Sequence, residues 1–236
     1  MDHLNSWRSW IEERHLRPES LTTYRANFEE HPARLVVISN FLRTDVAERL
    51  TMFLRDEAQF QPVFGLYSRE GAIIDQQEWI GAEEKNRFFR LSKIAGLSAQ
   101  YGLSLNTLTY LRFRKTLQDP GFAALFEQLT GIALSSNQTF SPHSMERGDF
   151  LKVHNDKIDN RQLALVFYLT PGWQPDFGGA LVVVDREGRK TRIEAEYNRL
   201  AAFDVNAGTT HFIEEIRGAA RDQRRLTISG WYDKRP

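Results

Sequence analysis

Residues 150–156, Phe150-Leu151-Lys152-Val153-His154-Asn155-Asp156, decide how this chain reads. A run rich in aromatic and β-branched residues closes on a His-x-Asp triplet, and such a run favours a strand. Residues i and i+2 of a strand point to one face, so His154 and Asp156 can converge on one ion. Working outward, further short runs of the same kind follow: Leu163–Leu169, Ala180–Val184, Thr191–Ile193, Leu200–Phe203, His211–Ile216 and Leu226–Tyr232. Turn signals separate several of them: Pro171-Gly172, Gly178-Gly179, Glu187-Gly188 and Ala207-Gly208. At least seven short strands at close spacing predict a sandwich or jelly roll.

Upstream of Gly131 the pattern is mainly helical. Leu4, Trp7, Trp10 and Ile11 recur at helical spacing in the first ~30 residues. Arg34 to Ile38 reads as a short apolar strand. A helix follows, with Thr44 as its expected N-cap and Val46, Leu50, Phe53 and Leu54 on one face. A second spans about Leu103 to Leu117. A third opens at Asp119-Pro120, a capping carboxylate followed by proline at the first helical position. The fold class expected is α+β, with N-terminal helices covering a double-stranded β-helix (jelly roll). Residues 1–30 are expected as a helical extension and 31–236 as one domain, its jelly-roll core at about 132–233.

The 236 residues are 41% hydrophobic, enough for one large core. Lys plus Arg (31) equals Asp plus Glu (31), so no charge excess points to nucleic acid or an anionic membrane. Arg217, Arg221, Arg224 and Arg225 crowd one stretch, read as a solvated loop entering a strand. The absence of cysteine excludes disulfides, zinc–thiolate sites and thiol nucleophiles. The start, Met1-Asp2-His3-Leu4-Asn5, lacks a signal-peptide pattern, and no apolar run approaches the ~20 residues that span a bilayer. A soluble, cytoplasmic protein is expected.

His211 follows Asp156 by 55 residues at the start of another predicted strand. Two neutral imidazoles and one carboxylate occupy one face of an octahedron and leave three positions open. That suits Fe(II) with a bidentate co-substrate and oxygen, whereas zinc favours tetrahedral sites.

Four segments then carry a resemblance. They are Gly148-Asp149-Phe150 through His154-Asn155-Asp156; Leu165–Thr170 with Trp173 and Phe177–Leu181; Ala202-Phe203-Asp204 through His211 and Glu214–Ile216; and Arg225–Tyr232. In this order they resemble the prolyl-4-hydroxylase-like branch of the 2-oxoglutarate/Fe(II) dioxygenases, over roughly residues 132–233, with a fainter likeness at Arg34–Leu42. The resemblance implies His154, Asp156 and His211 as iron ligands. It implies Arg225 and Tyr168 as the grip on the distal carboxylate of 2-oxoglutarate, with Thr227 beside them. Guanidinium offers two parallel donors to a carboxylate, and a phenol adds a third. Arg225, Thr227, Ser229 and Trp231 share a strand face.

Two departures stand out. Met145 replaces a tyrosine common in the branch nine residues before His154. The 14 residues from His211 to Arg225 make a long gap, so Arg221 and Arg224 are rivals to Arg225.

The implied cofactors are Fe(II), 2-oxoglutarate and O2, with ascorbate as reductant. The implied reaction is hydroxylation of an unactivated C–H bond, first of a prolyl residue in a peptide or protein, then of a free amino acid or small natural product. The presence of Asp156 separates the chain from related halogenases, which lack this carboxylate. Rival readings are a non-catalytic jelly-roll binding or sensing module, and a cupin-like metalloenzyme that uses no 2-oxoglutarate. Exposed Trp7 and Trp10 would suit a homodimer; buried, they would cover the jelly roll. His143 reads as a structural histidine that can also point into the pocket, Trp79 as core or substrate mouth, and Asp204 as an orienting acceptor for a ligand histidine. Gly178-Gly179 reads as a turn into a strand. His3, His15 and His31 receive no role.

Overall fold

The computed structural model describes residues 7–69, 72–100, 102–136, 139–158 and 160–235. Alternation along β7 (Arg161–Tyr168) organises it. Leu163, Leu165 and Phe167 enter one apolar core, while Ala164 and Tyr168 enter another. A strand buried on both faces must lie between two layers.

The other strands described are β1 (Leu35–Ser39), β2 (Ala58–Leu66), β3 (Arg87–Leu97), β4 (Leu134–Ser135), β5 (Ser141–Met145), β6 (Phe150–His154), β8 (Leu181–Val184), β9 (Lys190–Ile193), β10 (Arg199–Asp204), β11 (Thr210–Ile213) and β12 (Arg225–Lys234). They pair in the order β1-β10-β7-β12-β5-β3-β6-β11-β8-β9, with β2 on β3 and β4 on β12. From β5 onward the chain passes back and forth between two halves, with β8 and β9 a hairpin within one of them. β5, β7, β10 and β12 form one side of the roll; β6, β8, β9 and β11 form the other. This is the double-stranded β-helix, and every pairing along it is antiparallel.

Helices α1 (Pro18–Glu30), α2 (Thr44–Met52), α4 (Leu105–Leu117) and α5 (Pro120–Thr130) pack on the outer face of the first half, and α3 (Gln76–Gly81) lies against β2. Their side chains Phe28, Phe113, Phe122 and Phe126, with Phe53 just after α2, share the larger core with Leu165, Phe167 and Ile228. The Asp119 carboxylate accepts from the Gly121 amide at 2.7 Å, and Gly131 closes α5 at φ 72°. The cap contributes about 1 kcal/mol. No helix among the described residues is long and apolar enough to cross a membrane.

Several expectations change. Residues 7–10 form a 3-10 turn, and Ile11 makes a β-bridge with Leu42; Leu4 and His3 lie outside the described residues. Trp7 is buried edge-on against Phe122 of α5, and Trp10 packs on Phe113 of α4, so both tryptophans pack onto the helical layer. Thr44 is the first helical residue of α2 rather than its cap; Arg43 occupies the cap position, and Glu12 accepts from the Thr44 amide. Strands also precede Gly131: β2 and β3 pair along nearly their whole lengths, and β3 bridges the two halves of the roll.

Candidate metal and co-substrate site

β6 ends at His154, and β11 lies antiparallel to it with His211 directly opposite. Asp156 follows two residues after His154. The ligand atoms of all three lie within 4.8 Å of one another. His211 Nε2 is 3.2 Å from Asp156 Oδ2, and His154 Nε2 is 3.6 Å from Oδ1. His154 Nδ1 contacts the Lys152 carbonyl at 2.9 Å, which fixes the ring with Nε2 toward the cluster. The Trp231 indole donates to Asp156 Oδ2 at 3.0 Å. Phe203 meets the His211 ring edge-on and Phe88 the His154 ring, so apolar walls surround the donors.

Burial, reinforced by the neighbouring His211, depresses the His154 pKa to about 4. Burial alone would raise Asp156; the His211 hydrogen bond, with His154 and Trp231, outweighs it and holds the carboxyl below its usual value. Neutral pH therefore finds a free lone pair on His154 and a carboxylate on Asp156, the protonation states a divalent cation requires of them. The donor set fits Fe(II), with no cysteine among it to favour a closed thiolate site.

The triad opens into a cavity of about 250 Å³ within the roll. Arg225, first residue of β12, lies buried in its wall, its guanidinium carbon 5.1 Å from the centre of the Tyr168 ring. The Tyr168 hydroxyl and Arg225 Nε are both buried without a hydrogen-bond partner among the described residues. Burial raises the phenol and lowers the guanidinium pKa, and each group partly offsets the other's shift. Such orphaned donors are costly unless a ligand completes them, and a carboxylate matches both. Thr227 follows on the same face and is buried opposite Tyr168. Met145 stands opposite Arg225 on β5, its sulfur 3.7 Å from Nη1. The thioether thus occupies the wall where the family tyrosine was expected. Arg221 is exposed, and Arg224 turns outward to the Arg55 carbonyl, so of the three arginines Arg225 lines the cavity.

The remaining candidates sort cleanly. Asp204 does not orient a ligand histidine: it accepts from Gln162 and the Asn206 amide and pairs with Arg34. Trp79 belongs to a small core with Phe64, Leu66 and Ile74. His143 lines the cavity and contacts Ser229 Oγ at 3.1 Å. Gly178 and Gly179 take φ 75° and 71° in the turn before β8. The contributions of β3, including Phe88 and Lys93, were not anticipated.

Residues 140–233 match the model of the 2OG-Fe(II) oxygenase superfamily. Prolyl 3-hydroxylase OGFOD1 of Mus musculus is 30% identical over 118 residues, 47% of this chain and 21% of that protein. Prolyl 3-hydroxylase sudestada1 of Drosophila melanogaster is 31% identical over 97 residues, 36% and 18% of the two chains. The chain thus spans about a fifth of the length of these curated relatives. A Pseudomonas putida prolyl-4-hydroxylase superposes with TM-score 0.57 at 19% identity, over 91% of this chain and 99% of the other. A Trichoplax adhaerens prolyl hydroxylase, solved with a hypoxia inducible factor peptide, gives 0.56 at 14%, over 92% and 94%. These structures share the fold. Over residues 140–233 the chain is similar to the 2OG-Fe(II) oxygenase superfamily, and the relatives that it matches in part are prolyl hydroxylases.

Proposed function

We propose that the chain is an Fe(II)- and 2-oxoglutarate-dependent dioxygenase that hydroxylates a prolyl residue of a peptide or protein. The observation that carries the co-substrate reading is a pair of buried groups without hydrogen-bond partners among the described residues: Arg225 Nε, on a side chain that lines the triad's cavity, and the Tyr168 hydroxyl, whose ring packs against that guanidinium. The prolyl assignment rests on the relatives named above.

His154, Asp156 and His211 would hold the iron on one side and leave its other side to the cavity. Arg225, Tyr168 and Thr227 would bind the distal carboxylate of 2-oxoglutarate and fix its orientation. Bound Fe(II), with 2-oxoglutarate and O2, supplies the oxidising power, releasing succinate and carbon dioxide as the C–H bond gains oxygen. The Trp231 hydrogen bond keeps Asp156 on the metal side, and the Lys152 carbonyl keeps His154 in the required tautomer. Phe88, Phe203 and Met145 keep water from the reacting centre. Ascorbate would serve to return adventitiously oxidised iron to the ferrous state.

The test is an oxygen-free titration of 2-oxoglutarate into Fe(II)-loaded protein, read by the visible metal-to-ligand charge-transfer absorption. The wild type should develop the band. His211→Ala should lose it, and Arg225→Ala should need at least ~30-fold more 2-oxoglutarate, the scale of a charge-assisted contact of about 2 kcal/mol. No band from folded, iron-loaded wild type would leave the binding-module and cupin-like readings.

A further inference from the structure

Directly opposed residues on neighbouring strands project to the same face. The pairings Tyr168↔Thr227, Thr227↔His143 and His143↔Lys93 therefore form one row across β7, β12, β5 and β3. Thr227, His143 and Lys93 all line the cavity. The row begins beside the Arg225 guanidinium and ends, three strand spacings or roughly 14 Å away along the sheet, at a second cation. Between them His143 is neutral, burial with Lys93 and Arg225 depressing its pKa to about 4.

Lys93 has no carboxylate within salt-bridge distance among the described residues. Among the described residues Asp156 is the sole acid lining the cavity, and it already faces His154, His211 and Trp231. Burial, with the Arg161 guanidinium nearby, lowers the Lys93 pKa, so its ammonium is poorly compensated where it stands. Arg161 itself lies 3.8 Å over the Trp231 ring, on the side of the roll where Trp231 reaches the triad. A half-buried, uncompensated cation in a ligand cavity is relieved when the ligand brings the anion. The distal carboxylate of 2-oxoglutarate already has a partner in Arg225, at the far end of the row.

Resting on the proposed dioxygenase reading, we infer that Lys93 is a specificity-determining residue that receives a carboxylate of the substrate. That anion has two sources: the α-carboxylate of a free amino acid, or an acidic side chain next to the target residue in a peptide.

The test uses Fe(II)- and 2-oxoglutarate-loaded protein without oxygen, with binding followed by calorimetry. One arm compares L-proline with L-prolinamide. The other compares acetyl-Ala-Pro-Asp-Ala-amide with its Asn counterpart. Wild type should prefer the carboxylate member of at least one pair about ten- to hundredfold, and the arm that discriminates names the source. Lys93→Met, close in shape and uncharged, should abolish that preference, and Lys93→Arg should restore part of it. The 2-oxoglutarate concentration that half-develops the charge-transfer band should stay the same in all three proteins. No carboxylate preference in wild type, or one that survives Lys93→Met, would overturn the inference while the band keeps the dioxygenase reading intact. A Lys93→Met protein that instead demands more 2-oxoglutarate would place Lys93 in the co-substrate site and overturn it equally. Absence of the band in wild type would signal failure of the dioxygenase reading itself.

Discussion

Single side chains in this cavity are set by what burial does to their charge. His143 illustrates the sign. Its folded pKa of about 4 lies below the ordinary 6.5, because burial beside Lys93 and Arg225 disfavours the imidazolium. Between those values the unfolded chain binds a proton that the folded chain refuses. Stability is therefore full above pH ~6.5 and falls as the pH drops toward 4. The ceiling is about 3 kcal/mol, and partial exposure brings the expectation to about 1–2 kcal/mol. His143→Gln keeps a polar group near Ser229 but has no such titration. Urea unfolding at pH 7 and pH 4.5 should show wild type losing about 1–2 kcal/mol more than the variant. Asp149, raised to about 6 mainly by burial, titrates in the same window with the opposite sign, so the comparison between the two proteins isolates His143. Equal losses would show that the His143 ring is solvated. At this scale His154 and Asp156 were legible as a candidate ligand pair because a His-x-Asp on a strand needs only the two-residue period. Trp231 was legible as a residue on the Arg225 face, but its bond to Asp156 joins positions 75 apart in sequence, which no local spacing announces.

Elements place these side chains through a few tight backbone approaches, and the turn at Gly178-Gly179 is the most consequential. Gly179 has φ 71°, and a Cβ there would overlap the Ile216 methyl and stand 3.0 Å from Arg225 Cδ. Gly179→Ala should therefore push the guanidinium off its line and raise the 2-oxoglutarate requirement about tenfold or more, with Fe(II) binding retained. Gly188→Ala is the control: φ is 80° there, but nothing lies within 4 Å, so it bears the same backbone cost of about 1 kcal/mol without touching the site. Equal 2-oxoglutarate titrations in the two variants would sink the argument. The strands after Gly131 were legible because their alternation is clean and glycine or proline turns punctuate several of them. β3 was not, although Phe89, Leu91 and Lys93 alternate inward on it. An inward lysine breaks the apolar–polar pattern by which a strand is recognised, and the feature that hid the strand is the one now assigned to the substrate. The N-terminal tryptophans show the converse: helical spacing at 7, 10 and 11 also suits a 3-10 turn running into a bridge, and packing against Phe113 and Phe122 decided between them.

Across the whole molecule, the site and the main core are separate structures joined by the same strands. The helices and the outward residues of β7, β10 and β12 complete one apolar core. The inward residues of those strands face the cavity or a second core. Iron would bridge β6 and β11, which already pair through the sheet at His154 and His211. Folding therefore does not wait for the metal, unlike small domains whose core is the metal site. Stripped of metal, the protein should keep its secondary structure and a cooperative melt. Adding Fe(II), or Mn(II) as an oxygen-stable substitute, at about 100 times its Kd should stabilise it by ~2.7 kcal/mol. For a chain of this length that raises Tm by roughly 5–10 °C. His211→Ala should melt near the stripped wild type and show almost no response to either ion. A shift that survives His211→Ala would place the metal elsewhere, and collapse of the stripped wild type would make the ion structural. A folded apoprotein with a His211-dependent shift would match a roll that presents three donors ready-made to an ion it does not need in order to fold.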